Sequence, residues 1–152
     1  MNANKTAALK KRTVIDLVAS GIIGAAAAVA GIVFLFKYAD GAPKQYLTNA
    51  VYSIALAAEV LLLCLILIHV RIKGTPFTKT VIWILRIMAV ILFLTGCMPS
   101  FVEVSSDPSS FAVSTTFGFQ NFLVFGLGAV IGVISEIFVY GRELQEDNDL
   151  IA

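Results

Sequence analysis

A chain of 152 residues with 59% hydrophobic and only 14% charged side chains, at a mean hydropathy of +0.91, is too apolar for a water-soluble domain of its size. Four apolar runs approach or exceed the roughly 20 residues that cross about 30 Å of hydrocarbon, which leaves no room for a separate soluble domain. The net charge of +1 says little, but the placement of the basic residues says a great deal.

The composition predicts an all-α integral membrane protein: one membrane domain over 1–152, an antiparallel four-helix bundle with helices at about 14–36, 49–70, 76–98 and 119–140. Lys5, Lys10, Lys11 and Arg12 precede the first run. Arg71, Lys73, Lys79 and Arg86 flank the joint between the second and third, and Arg142 follows the fourth. Only Lys37 and Lys44 fall in the segments of the opposite side, so the positive-inside rule puts both termini and the Arg71 turn in the cytoplasm, as a multi-pass protein of the cell membrane.

The first helix opens at Thr13-Val14-Ile15-Asp16, which fits a capping box with Thr13 as cap and Asp16 reaching back. Ala28-Val29-Ala30 resembles a signal-peptide cleavage site, but the apolar run continues through Phe36 and the helix is read as retained. Gly21, Gly24, Ala25, Ala27, Ala28 and Gly31 place small residues four apart, suited to close packing within the bundle or to a dimer seam. Phe34, Phe36 and Tyr38 form an outer aromatic belt, and Asp40-Gly41 with Pro43 makes a short outer turn.

The second helix starts near Thr48 or Asn49 and carries Glu59 roughly 16 Å below the inner surface, close to the bilayer midplane. A carboxyl at that depth faces the bundle or a water-filled cavity and is expected to be neutral when unpaired. It is either a proton, cation or ligand site, or a neutral group hydrogen-bonded to Ser53, Tyr52 or another polar neighbour. His69, Arg71, Lys73 and Gly74 read as a helix stop. As the only histidine, His69 makes no two-histidine haem site or HExxH zinc site, and pH sensing is its alternative role.

The third helix is expected to restart at Thr75-Pro76 with Pro at the first helical position, and Phe77, Lys79 and Trp83 as interface anchors. Arg86 lies about 7.5 Å inside this surface and Glu136, on the fourth helix, about 6 Å inside it. Their matching depth predicts an interhelical ion pair, the alternative being that Arg86 snorkels alone to lipid phosphates. Cys64 and Cys97 stand at depths of about 9 Å and about 24 Å, too far apart for a disulfide, and read as packed thiols.

Pro99 to Thr116 is the one long outer loop. FVEV and FAVSTT around SSDPSS predict a small extracellular hairpin, with an irregular loop as the alternative, and Glu103 and Asp107 favour a cation or basic peptide there. Gly128 and Gly132 form a GxxxG on the fourth helix. After Gly141 the tail RELQEDNDLIA is acidic through Glu143, Glu146, Asp147 and Asp149; it either frays in solvent or docks on the basic Arg71 turn.

Two stretches carry a resemblance. Arg71-Ile72-Lys73-Gly74-Thr75-Pro76-Phe77-Thr78 with Leu85-Arg86-Ile87, and Glu136-Ile137-Phe138 through Gly141-Arg142-Glu143-Leu144-Gln145-Glu146-Asp147-Asn148-Asp149-Leu150, resemble the signatures of a bacterial four-helix membrane family known as domain of unknown function 2975. Members often carry a basic residue just before the tail glycine, where this chain has Tyr140. That family has no established activity. Some members are encoded beside a small helix-turn-helix regulator, so the resemblance implies a membrane partner that senses for, or sequesters, such a regulator.

The function expected is therefore a non-enzymatic membrane sensor or sequestering protein in the lipid bilayer, acting on a cytosolic DNA-binding regulator without touching nucleic acid itself, with homo-oligomerisation left open. Arg86 and Glu136 would form the switch pair. Arg71, Lys73, Thr75, Pro76, Phe77, Glu143, Glu146, Asp147 and Asp149 would meet the partner. Two alternatives come from other classes: a small proton-coupled transporter using Glu59, and an immunity protein against a membrane-active peptide. No cofactor is expected, and the sequence has no nucleophile with a base, metal cluster or phosphate loop to suggest an enzyme.

Overall fold

The structure, a computed structural model, describes residues 3–107 and 110–151, with side chains at 12–100 and 116–148. Four helices carry the chain: α1 (Ala3–Ala39), α2 (Gln45–Lys73), α3 (Lys79–Gly96) and α4 (Phe119–Ile151). Between α3 and α4 lies an antiparallel two-stranded hairpin, β1 (Ser100–Asp107) and β2 (Ser110–Thr116). All four helices are long and apolar enough to cross a membrane, the mark of a multi-pass membrane protein.

Helix boundaries differ from the sequence expectation for local reasons. α1 runs back to Ala3, so Thr13 and Asp16 lie inside the helix and not at its start. The preceding residues, rich in Ala, Lys, Leu and Arg, are strong helix formers and let it continue. α2 starts at Gln45 because the chain already winds at Pro43, whose carbonyl accepts from Tyr46 N–H at 2.9 Å. Gly41, at φ 88°, turns the chain between the two helices, and the Lys37 ammonium sits 5.5 Å from the centre of the Tyr46 ring across that turn.

α2 ends as expected at Gly74, which adopts φ 74° while its N–H reaches back to Val70 O at 2.8 Å. α3, however, does not begin at Pro76. Thr78 holds an extended backbone and its hydroxyl accepts from Val81 N–H at 3.3 Å, making Thr78 the cap and leaving Thr75-Pro76-Phe77 in the turn. α4 does not stop near Tyr140; it stays helical through Ile151, supported by an Arg142–Glu146 pair one turn apart.

Consecutive helices pack on one another in chain order. Gly24 meets Val60 and Gly31 meets Ile54 between α1 and α2, while Gly96 meets Phe125 and Gly128 meets Ala89 and Phe93 between α3 and α4. These are close backbone approaches of the kind small residues permit in lipid. Among the described residues α1 has no Cα within 8 Å of α3 or α4, nor has α2 of α4, so the bundle is open: two tight helical hairpins joined along a narrower α2–α3 seam. α3 is the most enclosed helix, with Val81, Ile82, Met88 and Leu92 buried. Ile22, Phe36, Leu61, Leu94, Phe122 and Val133 are exposed large apolar residues, as a lipid-facing surface requires.

Candidate functional site

The Arg71 turn and the end of α4 meet, but through different residues from those their charges suggested. Thr75 Oγ1 donates to Gln145 Oε1 at 3.2 Å, and the Phe77 ring packs on Gly141 and on Phe138, with ring centroids 5.3 Å apart. Phe77 is thus half-buried against α4. Arg71 and Lys73 are exposed and, among the described residues, make no ion pair with the tail. Glu146 is held by Arg142 on its own helix, while Glu143 and Asp147 are exposed. Pro76 sits half-buried in the turn. The side chain of Asp149 lies outside the described residues, as do those of Glu103 and Asp107 in the hairpin.

Arg86 and Glu136 are brought together: Arg86 Nη2 donates to Glu136 Oε1 at 2.9 Å, tying α3 to α4. The side chains are 45% and 59% exposed, which puts the pair on the outer flank of the α3–α4 hairpin and not inside the bundle. Beside it, Lys79, Trp83, Arg86, Arg142, Glu143 and Glu146 help line a groove of about 440 Å³ between the same helices. The amphipathic rim of Trp83 and basic side chains suits a membrane–water boundary.

Glu59 stands midway along α2 and is 7% exposed. Among the described residues neither of its carboxyl oxygens has a hydrogen-bond partner, so of the two alternatives for Glu59 the bond to Tyr52, Ser53 or another polar neighbour is not formed. The Tyr52 hydroxyl is itself buried beside Ser100 and Asn121 without reaching hydrogen-bond geometry with either. Glu59 lines a cleft of about 360 Å³ where α2 faces α3 and α4, walled by Leu56, Leu63, Met88, Leu92, Leu127 and other apolar or weakly polar side chains. Burying a carboxyl without a partner is costly, which makes Glu59 a candidate site residue.

Sequence reasoning missed Asn121. It is 2% exposed and joins three elements: its side-chain amide donates to Gly96 O at 3.2 Å and Met98 O at 2.5 Å, while Oδ1 accepts from Gly118 N–H at 3.1 Å and Ser100 Oγ at 3.4 Å. The available signal was a capping-box position, a polar residue three places into α4 that reaches back to the residue before the helix. Cys64 is half-buried and Cys97 exposed; both are free, so Cys97 is not the packed thiol expected. Among the described residues no group of His, Cys, Asp or Glu is placed to hold a metal ion. Comparison with protein-family models, curated proteins and solved structures finds no match to this chain.

Proposed function

We propose that this chain is a non-enzymatic membrane sensor that presents the turn between α2 and α3, together with the last turns of α4, to a soluble regulator in the cytosol. The observation that carries the reading is mechanical. α4 runs without interruption from the hairpin to Ile151, and its last turns are fastened to the Arg71 turn through Thr75–Gln145 and Phe77–Gly141. A displacement of α4 against α3 therefore moves the surface around Glu143 and Asp147 as one body with the turn.

The partner's chemistry follows from that surface. Glu143 and Asp147 are exposed acids on α4, complementary to a basic, DNA-facing surface on a small regulator, and binding there would compete with DNA. The nine-to-two bias of basic residues supports a cytoplasmic setting for this end. The resemblance of the turn and tail to domain of unknown function 2975, some of whose members are encoded beside such a regulator, points the same way.

The test is capture of cytosolic proteins on the intact, detergent-solubilised chain, followed by mass spectrometry. A small DNA-binding protein should be retained by the wild type, released by moderate salt, and lost with the double substitution Glu143→Lys, Asp147→Lys. Equal retention of the same proteins by both chains would rule the reading out.

A further inference from the structure

The structure assigns a second site, independent of the partner surface: the cleft between α2, α3 and α4 is a binding site for a lipophilic organic cation, with Glu59 as its counter-ion. Four observations carry it. The cleft holds about 360 Å³, at the lower end of the volumes that enclose a small organic molecule. Its walls, Leu56, Leu63, Met88, Leu92 and Leu127 among them, are apolar side chains that would meet a hydrocarbon or aromatic body.

Glu59 lines this cleft with both carboxyl oxygens unpartnered among the described residues, although the side chain is more than nine-tenths buried. Among the described residues no cation lines the cleft. Tyr52 on α2 is the only other titratable group lining the cleft, and the α3 and α4 lining residues carry none. Of the two cations on α3, Arg86 is committed to Glu136, and Lys79 lines the separate groove beside that pair and not this cleft. α1 lies against the α2 face that bears Ile54 and Val60, and contributes no residue to the cleft lining. The charge that Glu59 can balance must therefore arrive with a ligand or as a proton.

The route of entry narrows the ligand. Leu56, Leu63 and Leu127 line the cleft yet remain 50%, 41% and 52% exposed, so the cleft opens sideways through the lipid-facing surface between the two hairpins. A molecule arriving that way must first dissolve in hydrocarbon, which excludes metal ions and small hydrophilic amines. An inorganic cation would also find a single carboxylate where it needs several oxygen ligands. A delocalised or alkylated cation with an apolar body satisfies both the walls and the charge.

A proton and the cation are alternatives for the one carboxyl: the neutral acid plus the cation gives the carboxylate–cation pair and a released proton, so charge in the cleft is conserved. Proton and cation then compete for one group. Apparent affinity should fall by up to about tenfold for each unit of pH lowered through the range where the proton holds the carboxyl.

The probe is tetraphenylphosphonium, with tetraphenylborate as an anion of matching shape, tested on the full chain in lipid nanodiscs by equilibrium binding and by proton release in weak buffer. The expected result is one saturable phosphonium site per chain that weakens with acidification and releases a proton on binding. Tetraphenylborate should show no saturable site. Glu59→Gln should weaken binding at least about tenfold, the loss of a desolvated charge partner, while Glu59→Asp keeps both binding and its pH dependence. A Leu127→Trp chain, which fills the cleft but keeps the acid, should also lose the site. Equal phosphonium binding by a folded Glu59→Gln chain, pH-independent binding, or saturable borate binding would each overturn the assignment.

Discussion

Gly141 lies so close to Phe77 that a Cβ built on it would stand 2.6 Å from the ring's Cε1 and 2.7 Å from Cδ1. The ring's room to yield is limited, because it also meets Phe138 one turn back on α4, and the Phe77 N–H is bound to Thr75 Oγ1 at 3.3 Å. In an exposed helix a Gly→Ala change gains up to about 1 kcal/mol, whereas forcing atoms into a packed contact costs about 1–3 kcal/mol. The clash should win. Gly141→Ala is expected to lower the thermal stability of the purified chain, and Gly141→Leu more so. In a Phe77→Ala background the sign should reverse, with Gly141→Ala neutral or stabilising.

A second prediction separates glycines that look alike in sequence. A Cβ on Gly128 would meet Ala89 O and Phe93 N at 3.0 Å, whereas one on Gly132 would find only Ala89 Cβ at 3.9 Å, an ordinary contact. A Cβ on Gly96 would come within 2.6 Å of Phe125 N. Substitution by Ala should therefore be harmful at Gly96, costly by about 1–2 kcal/mol at Gly128, and neutral or favourable at Gly132 and at open Gly126. Unfolding of the four variants in one detergent, followed by circular dichroism, checks the order.

These contacts show what the sequence could and could not carry. The four apolar runs are legible because lipid imposes a length and a composition, and the Gly74 stop is legible because its left-handed turn favours glycine. The depth argument for Arg86 and Glu136 works because opposite charges at equal height have few other partners in a membrane. It gives height without azimuth, so it did not reveal that the pair faces outward. The GxxxG marked only half of the α3–α4 contact, since Gly96 has no glycine partner at the motif spacing. The helical run beyond Tyr140 is not legible, because the apolar pattern that marks a span ends there and the charged residues after Gly141 carry no such signal; Gly141 is a packing site inside the helix.

The outward setting of Arg86 and Glu136 limits what their removal can do. An exposed ion pair contributes roughly 0–1 kcal/mol where water reaches it. Arg86→Leu or Glu136→Gln should therefore shift thermal unfolding in detergent only modestly, by about 1 kcal/mol at most. The exchange Arg86→Glu, Glu136→Arg should recover most of what Arg86→Glu alone loses, since that single change sets two acids side by side. A double-mutant cycle with a coupling near zero would mean that the 2.9 Å contact is not maintained in the bilayer-like environment.

Asn121 should matter more than its single polar side chain suggests. The carbonyls of Gly96 and Met98 lie at the end of α3, where helix geometry leaves carbonyls without intrahelical donors. Asn121 supplies both donors and at the same time accepts from Gly118 N–H at the start of α4, so one side chain fixes where α3 ends, where the hairpin departs and where α4 begins. Asn121→Leu would remove these bonds and leave buried polar atoms unsatisfied, at about 1–3 kcal/mol for each group that water fails to reach. Asn121→Asp would keep the acceptor toward Gly118 and lose the donors. The expected order of thermal stability is wild type, then Asp, then Leu. Amide exchange near Gly118 should rise far more in the Leu variant than in the Asp variant, which retains that bond. Equal exchange in both variants would mean that the Gly118 bond does not hold the start of α4.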